Sequence, residues 1–234
     1  MSLSELKNVL KSKANKQKAV VLQRFFKTDK GQYGEGDIFI GITVPEQRKI
    51  ANQYSELSFD DIKQLLYSEI HEERLISLLI LVNRYQKADE KEKKNIYDFL
   101  IKHRKQINNW DLVDLIAPKT IGDYLLDKDK SILFKLASSK NVWDRRIAVM
   151  STFPCIRKGE FQTTLKLSEN LLYDEHDLIQ KAVGWMLREI GKIDLKAEEA
   201  FLKNYYKKMP RTMLRYAIEK FPEIKRKKYL NGKI

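Results

Sequence analysis

The sequence predicts an all-α protein, a solenoid of stacked helical hairpins, on three observations. A short apolar-helix signature recurs five times, at 71–76, 109–114, 142–148, 178–183 and 213–218. Aligned on Arg74, Val113, Arg146, Lys181 and Arg215, the copies are 39, 33, 35 and 34 residues apart. A period of that size marks a helical solenoid, because one hairpin cannot bury its apolar face until a neighbour stacks on it. Finally, 43% apolar and 33% charged residues with only 9 Gly and 5 Pro suit helices joined by short connections. The chain is therefore read as one domain over 1–234, with capping helices and a glycine-rich loop in 1–55, repeats in 56–222 and a basic tail in 223–234.

Taken in order, 3–26 carries Leu6, Val9 and Leu10 at helical spacing and predicts one or two lysine-rich amphipathic helices. Gly31, Gly34 and Gly36 then fall within six residues and force a loop, without a preceding strand or a nucleotide-binding spacing. Pro45 starts a helix to Tyr54, with Thr43 near its cap. Hairpins follow at 58–87, 91–126, 130–159, 161–191 and 195–221, the recurring signature lying on the second helix of each. Pro154 should stop or kink the second helix of the third hairpin. Lys225–Lys228 lie in a tail expected to fray.

Composition narrows the function classes. Lys and Arg total 45 against 32 Asp and Glu, a net charge of +13, and such an excess favours a polyanion, since phosphate contacts release condensed counterions. A merely lysine-rich solvated surface is the alternative. No apolar run approaches the ~18 residues of a membrane-spanning helix, and the first residues lack a secretory pattern. Cys155 stands alone, so neither an internal disulfide nor a zinc spacing is present, and a reduced cytoplasmic setting is expected.

The second signature breaks the ladder of basic residues by placing two carboxylates after Trp110. Trp110 and Asp114 are four apart and share a helix face, whereas Asp111 is turned by about 100° from Trp110. Asp111 sits early in its helix, where a carboxylate accepts free N–H groups and complements the dipole, so it reads as a cap, as does Asp144. Asp114 has no such role. Beside an indole on a basic surface it can stabilise developing positive charge; the alternative is an ion pair with an arginine of the next repeat such as Arg146. Lys181, Trp185 and Arg188 form a basic–aromatic–basic stripe suited to a nucleic-acid backbone and its exposed bases. Trp143 reads as core. His71, His103 and His176 share no spacing, and no activated Ser or Cys is evident, so a histidine-based site is not expected.

The motifs Asn109–Trp110–Asp111–Leu112–Val113–Asp114, Val142–Trp143–Asp144–Arg145–Arg146 and Gln180–Lys181–Ala182–Val183–Gly184–Trp185, in this order and at these distances, resemble the AlkD-like DNA alkylation repair enzymes, from about Phe39 to Phe221. The resemblance implies a right-handed superhelix of HEAT-like repeats and a monofunctional glycosylase that removes cationic N3- or N7-alkylated purines from duplex DNA. It further implies that Asp114 is the catalytic carboxylate, that Trp110 and Trp185 surround the deoxyribose with it, and that Arg146 holds a phosphate. Lys181, Arg188 and Arg145 join Arg146 as DNA-binding cations. No metal or cofactor is required, no membrane is involved, and a monomer is expected. The chemistry is compatible, because an alkylated purine is already a good leaving group and a carboxylate stabilises the oxocarbenium-like sugar more than the substrate. Where the family has a hydroxylated aromatic on the N-terminal helix, this chain has Phe25–Phe26, and its Gly31–Gly36 loop is longer. The other readings are a catalytically silent HEAT-like DNA-binding protein and a protein-interaction scaffold.

Overall fold

The computed structural model describes residues 2–234. Among these the chain is all-α, and the only extended pairing is one isolated parallel bridge between Ile38 and Ile70. The backbone forms two compact units, one ending at Ile116 and the other spanning Ala117–Ile234.

The first unit begins with α1 (Leu3–Lys13) and α2 (Lys16–Phe25). Ser2 and Glu5 close a reciprocal capping box on α1, and Asn15 caps α2 by accepting from the Lys18 N–H at 3.0 Å. The glycine-rich segment is a succession of turns, as expected, and it folds back tightly. A Cβ on Gly34 would stand 2.4 Å from the Phe26 carbonyl oxygen. Ile38 then pairs with the 69–71 backbone, giving its carbonyl to the His71 N–H at 2.8 Å. α3 (Val44–Gln53) starts with Pro45 in its first turn, though the Thr43 hydroxyl donates to Glu46 instead of capping. α4 (Phe59–Leu66) is boxed by Ser58 and Asp61 and packs, like α3, on α5 (His71–Tyr85). Nearly every residue of α5 is buried, including its charged first turn. α6 (Glu90–His103) and a 3₁₀ turn lead to α7 (Trp110–Ile116), which also packs on α5.

A π-helix over Ala117–Gly122 follows α7 directly. Pro118 has no N–H to offer the carbonyl four residues back, that of Asp114, and widening the turn is one way a helix absorbs such a loss. The second unit continues through α8 (Ser131–Ala137), α9 (Val142–Met150), α10 (Phe153–Arg157), α11 (Gln162–Asn170), α12 (Asp177–Ile193), α13 (Leu195–Tyr205), α14 (Arg211–Ala217) and α15 (Glu223–Leu230). Pro154 acts as expected: α9 ends at Met150, and the proline sits in the first turn of α10, where its missing donor costs nothing. The five signatures fall on α5, α7, α9, α12 and α14, so the period in the sequence is a period of second helices. α12 packs on both α9 and α14.

The basic tail does not fray. Glu223–Leu230 is helical because Tyr229, at 2% exposure, is buried edge-on against Tyr206 and Phe221 at centroid distances of 5.3 and 5.6 Å. Lys227 and Lys228 are exposed, while Lys225 pairs with Glu199 and lies over the Phe221 ring, so the anchor and this pair outweigh the repulsion among the basic residues.

Candidate active site and the basic helices

α7 is started by Asn109, fully buried, whose Oδ1 accepts the Trp110 N–H at 2.8 Å while its Nδ2 donates to Asp37 at 3.0 Å. The indole that follows is braced on one side by a run of rings. Trp110 stacks on Phe26 (5.2 Å, 16°), Phe26 on Phe39 (4.8 Å, 18°) and Phe39 on His71 (4.4 Å, 23°). Phe25, 61% exposed, meets the indole edge-on at 5.9 Å. Trp110 and Asp114 are both half-buried and, four apart on α7, lie on the same face.

Asp111 belongs to a different structure. Its Oδ1 accepts the Leu112 N–H at 2.9 Å, which is the capping role expected of it, but its Oδ2 lies 2.8 Å from His71 Nε2. The other nitrogen of His71 lies 3.0 Å from Asp37 Oδ2, so the imidazole joins two carboxylates. Both nitrogens must then donate, which requires the imidazolium. Burial disfavours that charge, yet the hydrogen bonds to Asp111 and Asp37 outweigh it and hold the His71 pKa above its ordinary value. Burial likewise pushes the Asp37 carboxyl up, and the His71 hydrogen bond, the Arg74 charge and Asn109 together bring it below the usual carboxylate range. Arg74 completes the cluster, donating to Asp37 Oδ1 at 2.6 Å and to the Ser68 and Glu69 carbonyls. Next to it Glu72, fully buried, accepts the N–H groups of Ile40, Gly41 and Ile42 at 3.1, 2.8 and 3.2 Å, fixing the segment that carries Phe39.

His71 is a buried junction, 1% exposed, at the foot of the Trp110 helix. Spacing among the histidines does not reveal it, because the partners are aspartates on other segments. The repeat alignment held the signal. His71 and Trp110 both stand three residues before their aligned positions, so they occupy matching first turns of the packed helices α5 and α7.

The remaining candidates lie in the second unit. Trp143 is buried, as expected of core, and Asp144 accepts the Ser139 hydroxyl at 2.9 Å. Arg145 donates to Asp174 at 2.6 Å and to the Ser139 and Lys140 carbonyls at 3.0 Å. Arg146, 5% exposed, donates to the Leu178 carbonyl at 2.6 Å, tying α9 to the first turn of α12. On α12, Lys181 pairs with Asp177 at 2.7 Å, half-buried Trp185 donates its Nε1–H to Glu189 at 2.9 Å, and Arg188 bonds Glu219. The stripe is present, and each member carries an acidic companion. A Cβ on the neighbouring Gly184 would lie 2.4 Å from the Met213 carbonyl oxygen, so α12 and α14 approach closely there. The structure therefore groups Trp110, Asp111 and Asp114 on α7, Arg145 and Arg146 on α9, and Lys181, Trp185 and Arg188 on α12.

Among the described residues no group of three or more His, Cys, Asp or Glu side chains is placed to hold a metal ion, and no helix is long and apolar enough to cross a membrane. Comparison with protein families matches residues 6–221 to the family described as DNA alkylation repair enzyme. Among solved structures, a predicted DNA alkylation repair enzyme from Enterococcus faecalis is similar with a TM-score of 0.71 at 18% identity, over 90% of this chain and 98% of that one. The smu.31 protein from Streptococcus mutans UA159 is similar with a TM-score of 0.54 at 18% identity, over 88% and 98%. No curated protein matches the sequence significantly.

Proposed function

Since the chain belongs to the DNA alkylation repair enzyme family, we propose that it is a monofunctional DNA glycosylase that hydrolyses the N-glycosidic bond of cationic N3- or N7-alkylated purines in duplex DNA. The observation that carries this reading is the face that Trp110 and Asp114 share on α7. Asp114 stands half-buried one turn beyond Trp110, whose indole is held by stacked rings. We assign it as the carboxylate that meets positive charge.

In the proposed reaction the alkylated base leaves with the bonding electrons and becomes neutral, and the sugar takes up the positive charge. Asp114 lowers the energy of that oxocarbenium-like state more than that of the intact nucleotide, which already carries its charge on the base and farther away. Water then adds to the sugar carbon from the face that Asp114 orients, and its proton passes to the carboxylate or to solvent. Trp110 presents a flat π surface against the cationic sugar and the departing neutral base, with Phe26 behind it. Trp185, Lys181 and Arg188 take the backbone, with Glu189, Asp177 and Glu219 as the partners that phosphate must displace. Arg145 would likewise have to exchange Asp174 for phosphate. Arg146, buried against Leu178, contributes its charge while holding α12 in place.

The test is release of 7-methylguanine and 3-methyladenine from methylated duplex DNA, with the freed bases separated by chromatography. Wild type should release them, and Asp114→Asn should be slower by about 10²–10³ with intact-duplex binding retained. Duplex binding by a folded wild type that frees no base would move the assignment to a non-catalytic DNA-binding protein.

A further inference from the structure

The first unit holds a cavity that the catalytic face does not use. Its volume is about 540 Å³, within the ~300–1,000 Å³ range of small-molecule sites. Its outer wall is α2, with Lys18, Val21 and Leu22; its inner wall is Phe26, Phe39, Ile42 and Leu75; and its polar end is His71 and Asp111. We propose that this cavity binds a free purine, namely the base that excision releases, so its ligand rests on the glycosylase reading above.

Four observations select a planar nitrogen heterocycle. The rings of Phe26, Phe39 and His71 line the cavity together with Val21, Leu22, Ile42 and Leu75, a set of flat rings and branched aliphatics that suits a planar ring system better than an alkyl chain. At the polar end, Asp111 spends one acceptor position on the Leu112 N–H and one on His71. An ionised carboxylate offers about four, so two remain for the N–H edge of a purine, and an alkyl chain would leave them unmatched. Gln47 also lines the cavity: its Nε2 donates to the Ile42 carbonyl at 2.7 Å, while its Oε1 is buried with no hydrogen-bond partner. A ligand with more than one donor suits such a wall. Finally, Asp111 directly follows Trp110, and the cavity's Phe26 is the ring on which Trp110 stacks. The cavity thus lies behind the indole, within one helical turn of Asp114.

The polar end also explains why a neutral base is the better occupant than a charged one. Asp37, Arg74, His71 and Asp111 make two paired charges of each sign, so the cluster offers hydrogen-bond acceptors without a net charge to attract an ion. Alkylated purine loses its positive charge on leaving the sugar, and a site selective for the neutral form favours the product over the substrate.

The experiment is isothermal titration of wild-type protein with free 3-methyladenine and free 7-methylguanine, using quinoline as a neutral bicyclic aromatic of similar size without an N–H edge. Val21→Trp, at a position 65% exposed on α2, fills the cavity without burying a new group in the core. Both bases should bind wild type, at least tenfold more weakly to Val21→Trp, and quinoline should bind at least tenfold more weakly than either base. In parallel, added free base should inhibit excision by wild type and lose that effect with Val21→Trp, whose single-turnover excision is unchanged. Absence of base binding, or binding indifferent to Val21→Trp, overturns the site whatever the excision assay shows. Base binding by a protein that excises nothing keeps the site and removes the glycosylase reading instead.

Discussion

Replacing His71 by Phe keeps a ring on Phe39 and removes both nitrogens that join Asp37 to Asp111. Near pH 6 the wild-type imidazolium sits between two carboxylates at 3.0 and 2.8 Å with 1% exposure. Removing one partner from a buried ion network costs about 3–5 kcal/mol, and the variant should lose stability in that range. The loss must depend on pH with a definite sign. Because the folded-state pKa of His71 lies above its ordinary 6.5, its contribution is fully present below 6.5 and is lost as pH rises through the folded value. Across that window the wild-type advantage shrinks by at most about 1.4 kcal/mol per pH unit. The assay is urea unfolding followed by circular dichroism at a series of pH values, with the difference between variant and wild type plotted against pH. A difference that is flat from pH 6 to 9, or smaller than about 1 kcal/mol at pH 6, would refute the imidazolium junction.

Three further outcomes are expected. Glu198 on α13 is buried with Oε1 unpartnered, and burial, only partly offset by Arg188 and Lys225, pushes its carboxyl up to about 8. A raised carboxyl contributes stability below 4.5 that drains away as pH rises toward 8. Glu198→Gln should therefore gain on the order of 2–3 kcal/mol at pH 7 over its effect at pH 4, read by thermal unfolding at the two pH values. Gly41 has φ +86°, and a Cβ there would lie 2.1 Å from the Asn15 carbonyl oxygen. Gly41→Ala should cost roughly 2–4 kcal/mol by the same measurement, because neither backbone can yield without breaking the α2 cap. Lys181→Ala, at the exposed end of the α12 stripe, should weaken binding to duplexes of any sequence and reduce the slope of log affinity against log salt by about 1; an unchanged slope removes Lys181 from the DNA contact.

The helical fold was readable because the five signatures repeat at nearly one period and land on α5, α7, α9, α12 and α14. Trp143 in the core and the stop at Pro154 followed from local rules alone. The tail misread had a physical source: four basic residues dominate the composition of 225–228, while the one residue that decides burial, Tyr229, follows them and finds its partners on α13 and at Phe221. The polar junction was hidden for a similar reason. Asp37, His71 and Asp111 are 34 and 40 residues apart, and nothing in the chain between them signals that a glycine-rich turn delivers Asp37 to the foot of α5. Charged residues at the start of an otherwise apolar helix were the available clue, since Glu72, Glu73 and Arg74 must be paired to be buried at all.

That junction also explains how two aspartates three residues apart can differ in role without differing in type. Asp111 faces α5, where a buried cation from the preceding repeat claims it; Asp114 is rotated off that face and lies where α7 gives way to the π-turn imposed around Pro118. Asp111 is fixed by the His71 network, and Asp114 shares the face of the braced Trp110 indole. On this argument His71 serves catalysis at one remove, since it anchors the first turn of α7 and so sets the rotation at which Trp110 and Asp114 are presented. His71→Phe should then slow excision through kcat, while Asp111→Asn, whose carbonyl oxygen can keep the Leu112 cap while its amide donates to an unprotonated His71 Nε2, should slow it less. Equal and large losses in both variants would mean that Asp111 itself meets the substrate, and would overturn the assignment of Asp114 as the catalytic carboxylate.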